Sequence, residues 1–193
     1  MLAYKATHEL IPLFAVYALL FTDHGLSAGA VSSLLVIWSV TGFVLEVPSG
    51  AWADVFDRRN LLVLSAALYC AGFVVWLSWP VYAGFAAGFV LWGTSSALAS
   101  GTFESLVYDE LAARDATASY TRLIGWVHAC GMTAMVVAIA AAGPLYAWGG
   151  YALVGWTSVA VTVVHGVVAW SLPKAPNVGQ PDHEPGRAAY LAM

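Results

Sequence analysis

Within the stretch VPSGAWADVFDRRNLL, residues 47 to 62, Asp54, Asp57, Arg58 and Arg59 are crowded together. Charged residues make up only 9% of the chain, against 61% hydrophobic, so such a cluster needs a reason. Acids and bases so close together can form ion pairs, cap a helix and anchor a chain reversal. Elsewhere the carboxylates Glu46, Glu104 and Asp109 stand in apolar sequence. A charged side chain at the centre of a bilayer costs about 2.5–3.5 kcal/mol, so an intramembrane carboxylate is a functional candidate by default. For Glu46 and Glu104 a proton site and a structural ion pair are both open, with Arg122 as a basic partner within reach of either. His128 and His165 each stand alone in an apolar run without metal-ligand spacing. Cys70 and Cys130 lack a CxxC spacing, so neither a metal, a cofactor nor a disulfide framework is expected.

The elements that must position these residues are apolar helices. A mean hydropathy of +0.77 and this hydrophobic fraction far exceed what a soluble domain carries, which places the chain in a bilayer. A formal charge of −4 with no basic run gives nucleic acid nothing to bind. Uninterrupted apolar runs occupy about Ala28 to Trp52, Leu61 to Trp79, Val81 to Val107, Tyr120 to Gly143 and Tyr151 to Leu172, each near or above the roughly 20 residues that cross hydrocarbon. A sixth, shorter run from Leu10 to Thr22 must recruit Tyr4 to Glu9, with Lys5 snorkelling towards the headgroups. A signal peptide is the alternative reading of that end, but Glu9 is unusual in one, and Asp23 to Ser27 read as a turn in which Ser27 caps the next helix. Gly84 and Gly88 form a GxxxG pair suited to close helix packing, and Gly143 with Pro144 marks the expected end of the fifth helix.

Orientation follows from the basic residues. With the amino terminus cytoplasmic, all 7 Lys and Arg lie on the cytoplasmic side or within about a turn of it, and the opposite turns near 23–27, 79–82 and 144–150 hold none. Six helices with both termini inside satisfy that bias. The Pro- and Gly-rich end PKAPNVGQPDHEPGR reads as a solvated linker. The chain therefore divides into a six-helix bundle over 1–172 and a cytoplasmic linker-like tail over 173–193. The charged stretch falls at the cytoplasmic end of the second helix and the turn into the third, where Gly50, Ala51 and Ala53 would let two helix ends approach closely.

GAWADVFDRR, Gly50 to Arg59, resembles the signature between the second and third helices of major facilitator superfamily transporters, roughly G-x-x-x-D-x-x-G-R-R/K. Gly50, Asp54, Arg58 and Arg59 match. Asp57 stands where the signature has its second glycine, and Val55 where a basic residue is frequent. SGTFESLVYDEL at 100 to 111 resembles the end of the fourth helix of prokaryotic members, with Asp109 as its acidic residue. With GLS at 25 to 27 and EVPSG at 46 to 50, the similarity extends over all six spans.

The resemblance implies an all-α membrane protein with the amino-terminal half-fold of that superfamily, six helices in two three-helix repeats. It implies a cytoplasmic gate of Gly50, Asp54, Arg58, Arg59 and Asp109, in which Arg58 pairs with Asp109. The expected function is transport of a small solute by alternating access, with the proton as the usual driving ion and no enzyme activity. The expected partners are the lipid bilayer, a small-molecule substrate and a second six-helix half, in the same polypeptide or another chain, at a prokaryotic plasma membrane. Trp38, Tyr69 and Trp92 are candidate cavity-lining aromatics, equally compatible with packing. Two other classes remain: a non-transporting membrane subunit, and an intramembrane serine hydrolase built on Ser49 and His165.

The orientation generates a labelling pattern. In a cysteine-free background, single cysteines at Gly25, Tyr82 and Gly149 should react with an impermeant maleimide from outside the cell, and those at Asn60 and Asp115 only after permeabilisation. Reversed labelling at two of these loops would contradict the assigned orientation.

Overall fold

The structure is a computed structural model that describes residues 1–174, the side chain of Asp54 excepted. All but the first two residues of the expected tail, 173–193, thus lie outside the described residues. The described chain is helical: α1 (Leu2–Glu9), α2 (Tyr17–Asp23), α3 (Ala28–Val55), α4 (Arg58–Ser78), α5 (Tyr82–Ala99), α6 (Thr102–Ala112) and α7 (Tyr120–Trp170), with 3-10 turns at Pro12–Ala15 and Thr117–Ser119. Among the described residues three segments are long and apolar enough to cross a membrane: Ala28–Ala53, Arg58–Ser78 and Thr117–Trp170. The other expected spans are interrupted, and each interruption has a local cause.

The amino-terminal span breaks between α1 and α2. Pro12 opens the 3-10 turn and holds Ile11 in an extended conformation (φ −115°, ψ 97°), because the proline ring excludes helical backbone from the preceding residue. The break leaves the Leu13 N–H without a helical acceptor, and it donates instead to Ser158 Oγ of α7 at 3.0 Å. Such repair by a neighbouring helix is what permits a broken helix at membrane depth. The expected span from Val81 to Val107 likewise becomes α5 and α6, separated at Gly101 (φ +69°), a left-handed conformation that glycine adopts without a Cβ clash.

α7 carries two expected spans in one unbroken assignment. A straight helix over Tyr120–Trp170 would be about 77 Å long and would hold Gly131 and His165 about 51 Å apart. Yet Gly131 packs on Lys5 and Glu9, and His165 lies beside Thr7, all within α1. The chain must therefore double back, and it does so at Gly149 and Gly150, whose backbone leaves the helical region (Gly150 φ +60°, ψ −158°). Pro144 does not end the helix; the reversal comes later than the expected stop at Gly143 and Pro144. Residues 120–149 and 151–170 are thus two arms of a hairpin that embraces α1.

Two cores hold these elements together. One is aromatic: Phe21, Tyr69, Phe73, Trp76, Phe85 and Phe89 are buried, with Phe14, Tyr17, Trp38 and Trp92 packed against them. The Trp76 indole N–H donates to the Phe85 carbonyl at 3.0 Å, and the space for that ring exists because residue 88 has no side chain. A Cβ on Gly88 would collide with the indole and approach the Gly72 carbonyl oxygen to 2.9 Å. A Cβ on Gly84 would strike the Trp79 carbonyl, so both members of the GxxxG pair are sterically required. The second core joins Tyr4, Leu62, Phe103, Leu106, Val127 and Ala169. Between α4 and α5, the buried Ser65 hydroxyl lies 2.9 Å from the Ser95 carbonyl and 3.0 Å from its hydroxyl.

Gly88→Ala should lower the melting temperature of the purified protein in detergent, since overpacking costs about 1–3 kcal/mol. Gly42→Ala, where nothing lies within 4 Å of an added Cβ, should be neutral or stabilise by up to about 1 kcal/mol through helix propensity. Equal melting temperatures for the two variants would contradict this packing.

Candidate functional site

The reversal between α3 and α4 is short. Phe56 is extended, and Asp57 caps α4, its carboxylate accepting from the backbone N–H groups of Arg59 at 2.9 Å and Asn60 at 3.3 Å. An acid is useful there because two arginines open α4, the end of a helix whose dipole disfavours cations. Asp57 is therefore the residue that lets Arg58 and Arg59 occupy a first helical turn. The sequence carries a signal for this cap, an Asp directly before a charged and then apolar helical run, at the position where the signature has a glycine.

The arginines then reach in different directions. Arg58 forms an ion pair with Asp109 of α6, both side chains about one quarter exposed, and its Nη1 lies 3.5 Å from the Ser105 carbonyl. The Arg59 guanidinium sits 5.3 Å from the ring centroid of Trp170 at the end of α7, a cation–π contact worth about 0.5–2 kcal/mol depending on desolvation. Two consecutive residues thus tie the start of α4 to α6 and to the second arm of α7. On α6 the neighbouring Glu110, almost fully buried, pairs with Arg114 at 2.8 Å.

The remaining expected site residues are placed differently. Gly50 is exposed, and a Cβ there would meet nothing within 4 Å, so it does not serve close helix approach within this bundle. Asp54 lies in the last turn of α3, its side chain outside the described residues. The expected buried pairing of Glu46, Glu104 and Arg122 does not form: Glu46 and Arg122 are exposed on separate helices, and none of the three joins an ion pair among the described residues. Glu104 lies half-buried at the wall of a cavity of about 220 Å³.

Trp38, Tyr69 and Trp92 belong to the aromatic core. Tyr69 is fully buried, its hydroxyl donating to the His8 carbonyl at 3.3 Å, and Trp92 stacks on Phe14 at 4.9 Å and meets Trp38 at 5.1 Å. Tyr69 thus lies inside the aromatic core, and Trp38 and Trp92 pack against it while remaining partly exposed. The Ser49 hydroxyl donates to the Glu46 carbonyl at 2.9 Å, while His165 Nδ1 lies 3.0 Å from Thr7 Oγ1. No nucleophile–base pair joins them.

A polar cluster on α1 went unread. Lys5 Nζ lies 2.7 Å from Glu9 Oε1, His8 Nδ1 lies 3.3 Å from the same oxygen, and His8 stacks on Tyr69 and meets His165 edge-on. The spacing of Lys5, His8 and Glu9 is that of neighbours on one helix face. Their distant partner Thr7–His165 spans 158 residues, which no local pattern reveals. Among the described residues no group of three His, Cys, Asp or Glu is arranged to hold a metal ion.

A double-mutant cycle on Arg58→Ala and Asp109→Ala should give a coupling energy of about 1–3 kcal/mol in thermal or denaturant unfolding, between the values for exposed and buried pairs. Strict additivity would show the two residues to be uncoupled. Asp57→Ala should destabilise by about 1 kcal/mol through loss of the cap.

A family model described as Major Facilitator Superfamily matches residues 8–192 of the chain. No curated protein and no solved structure matches it.

Proposed function

The chain belongs to the Major Facilitator Superfamily, a family of membrane transporters, and from that premise we propose that it is one six-crossing half of a secondary transporter moving a small solute by alternating access. The observation that carries this reading is the Arg58–Asp109 ion pair, which joins the α3–α4 turn to α6 within a family-matched chain. We read it, with Arg59 and the α3-end residues Gly50 and Asp54, as a latch on the cytoplasmic side. An ion pair of this exposure is strong enough to bias, and weak enough to release, two conformations that differ by a few kcal/mol.

The six crossings in this reading are α1 with α2, α3, α4, α5 with α6, and the two arms of α7. Such breaks are at home in transporter folds, where discontinuous helices surround the substrate. The exposed face of α3 supports a missing neighbour: Val36, Val40, Phe43, Val44 and Val47, each more than half exposed, repeat at helical spacing in a single stripe. A stripe that apolar belongs against lipid or a second bundle. In this account a second six-helix half, in the same polypeptide or another chain, completes the translocation path, both termini are cytoplasmic, the membrane is a prokaryotic plasma membrane, and a proton gradient drives the solute.

Proteoliposomes test the proposal. Single copies of this chain per vesicle, counted by photobleaching, should take up no solute under a proton gradient. Vesicles that also hold a complementary six-helix half should show saturable uptake that Arg58→Ala reduces about tenfold, the effect of about 1.4 kcal/mol. Saturable, gradient-dependent uptake by single copies would contradict the half-transporter reading, and absence of uptake with the partner half present would contradict transport.

A further inference from the structure

The cavity of about 220 Å³ lies where α1, the end of α5, the start of α6 and the first arm of α7 meet. It is far larger than the ~10–15 Å³ that a single water needs. Its wall carries charged side chains of both signs, and they come from different helices. Lys5 and His8 of α1 line it together with His128 of α7. These three belong to one junction: Lys5 and His8 are neighbours on a helix face, and the Lys5 stem packs on Gly131, about one turn beyond His128. Glu104 lines the cavity from α6, next to Ser100 and Gly101 where α5 passes into α6. No ion pair joins Lys5 to Glu104, although both border the same space.

Lys5 keeps donors in hand. Its ammonium has three N–H groups, and the hydrogen bond to Glu9 at 2.7 Å engages one of them while fixing where the group sits. Glu104 joins no ion pair among the described residues. A base with donors to offer and an acid without a basic partner thus border one cavity without meeting. A ligand that is only a cation is repelled by Lys5, and one that is only an anion is repelled by Glu104. A molecule that bears both charges satisfies both groups and adds no net charge to a half-buried site, where a lone charge is expensive. Much of the remaining wall is apolar, formed in part by Phe103, Ile124 and Val127. A few polar groups that fix orientation, set among apolar contacts that supply area, form the pattern of a small-ligand pocket.

We propose that this cavity binds a small zwitterion, an α-amino acid with an apolar side chain, whose carboxylate is held by the Lys5 ammonium, whose ammonium is held by the Glu104 carboxylate and whose side chain packs on Phe103, Ile124 and Val127. The occupant bridges α1 to α6. The binding site stands on this cavity alone; calling the ligand the transported solute rests on the transporter reading.

The test uses the full chain in lipid nanodiscs and three probes with the same branched hydrocarbon end: leucine, isoamylamine, which lacks the carboxylate, and isocaproate, which lacks the ammonium. Calorimetry should show saturable binding of leucine, at least about tenfold tighter than either analogue, as expected for the loss of one hydrogen bond between charged groups. Glu104→Gln should weaken leucine at least about tenfold and remove its advantage over isocaproate. Lys5→Gln should remove its advantage over isoamylamine, while Asp115→Asn, in an exposed turn, should change nothing. A measurement on the unaltered protein removes dependence on variant folding: leucine should protect Glu104 from an apolar carbodiimide, read by peptide mass spectrometry, and isocaproate should not. Absence of saturable leucine binding, an analogue that binds as tightly as leucine, or unprotected Glu104 at saturating leucine would overturn the proposal. Retained binding with no solute uptake in proteoliposomes would count against the transporter reading and leave this site standing.

Discussion

Inside hydrocarbon, apolar surface cannot tell one helix face from another, because lipid is as good a neighbour as leucine. A chain that is 61% hydrophobic therefore needs some other means of deciding which faces meet. Here the deciding groups are small residues and a short list of polar contacts, each joining two helices distant in sequence. Ser65 meets Ser95, the Leu13 N–H meets Ser158, Thr7 meets His165, and Arg58 meets Asp109. Gly72 and Gly88 bring α4 and α5 together around the Trp76 ring. The architecture follows from satisfying these few groups, and the aromatic core fills the space they define.

The same constraint explains why the helices are broken where they are. A break is costly in a membrane unless a neighbour satisfies the freed backbone group. At Leu13 the neighbour is Ser158, and the exchange fixes the height of α1 against the second arm of α7. That height in turn sets His165 beside Thr7 and Tyr4, and Gly131 beside Lys5. The polar lining of the cavity near Glu104 is a consequence of this placement, because α1 delivers Tyr4, Lys5 and His8 to it together.

The apolar runs made the helical class and most of the helix positions legible in the sequence, since length and hydropathy are local properties. The breaks were less so. Pro12 and Gly101 each interrupt a run that looks continuous by hydropathy, and the fifth helix runs past its expected end at Gly143 and Pro144 to a reversal at Gly149 and Gly150, inside the expected turn of 144–150, because a proline inside a membrane helix is tolerated when its neighbours allow it. At the α3–α4 turn, the pairing of Arg58 with Asp109 came from family resemblance; spacing alone could not join residues on α4 and α6. Asp57 was legible as a cap. The Thr7–His165 contact and the environment of Glu104 were not, because both depend on the fold-back of α7 onto α1, which hydropathy does not encode.

The central claim is that the Arg58–Asp109 ion pair holds the α3–α4 turn to α6, and a distance measurement across that junction addresses it most directly. Nitroxide labels at Asn60 and Ala113, both exposed, in a protein lacking Cys70 and Cys130, report the separation by pulsed electron–electron resonance in lipid. The account predicts one narrow distance distribution for the otherwise unaltered protein and a second, longer and broader population when Asp109 is changed to Asn. Identical distributions with and without the carboxylate charge would contradict it.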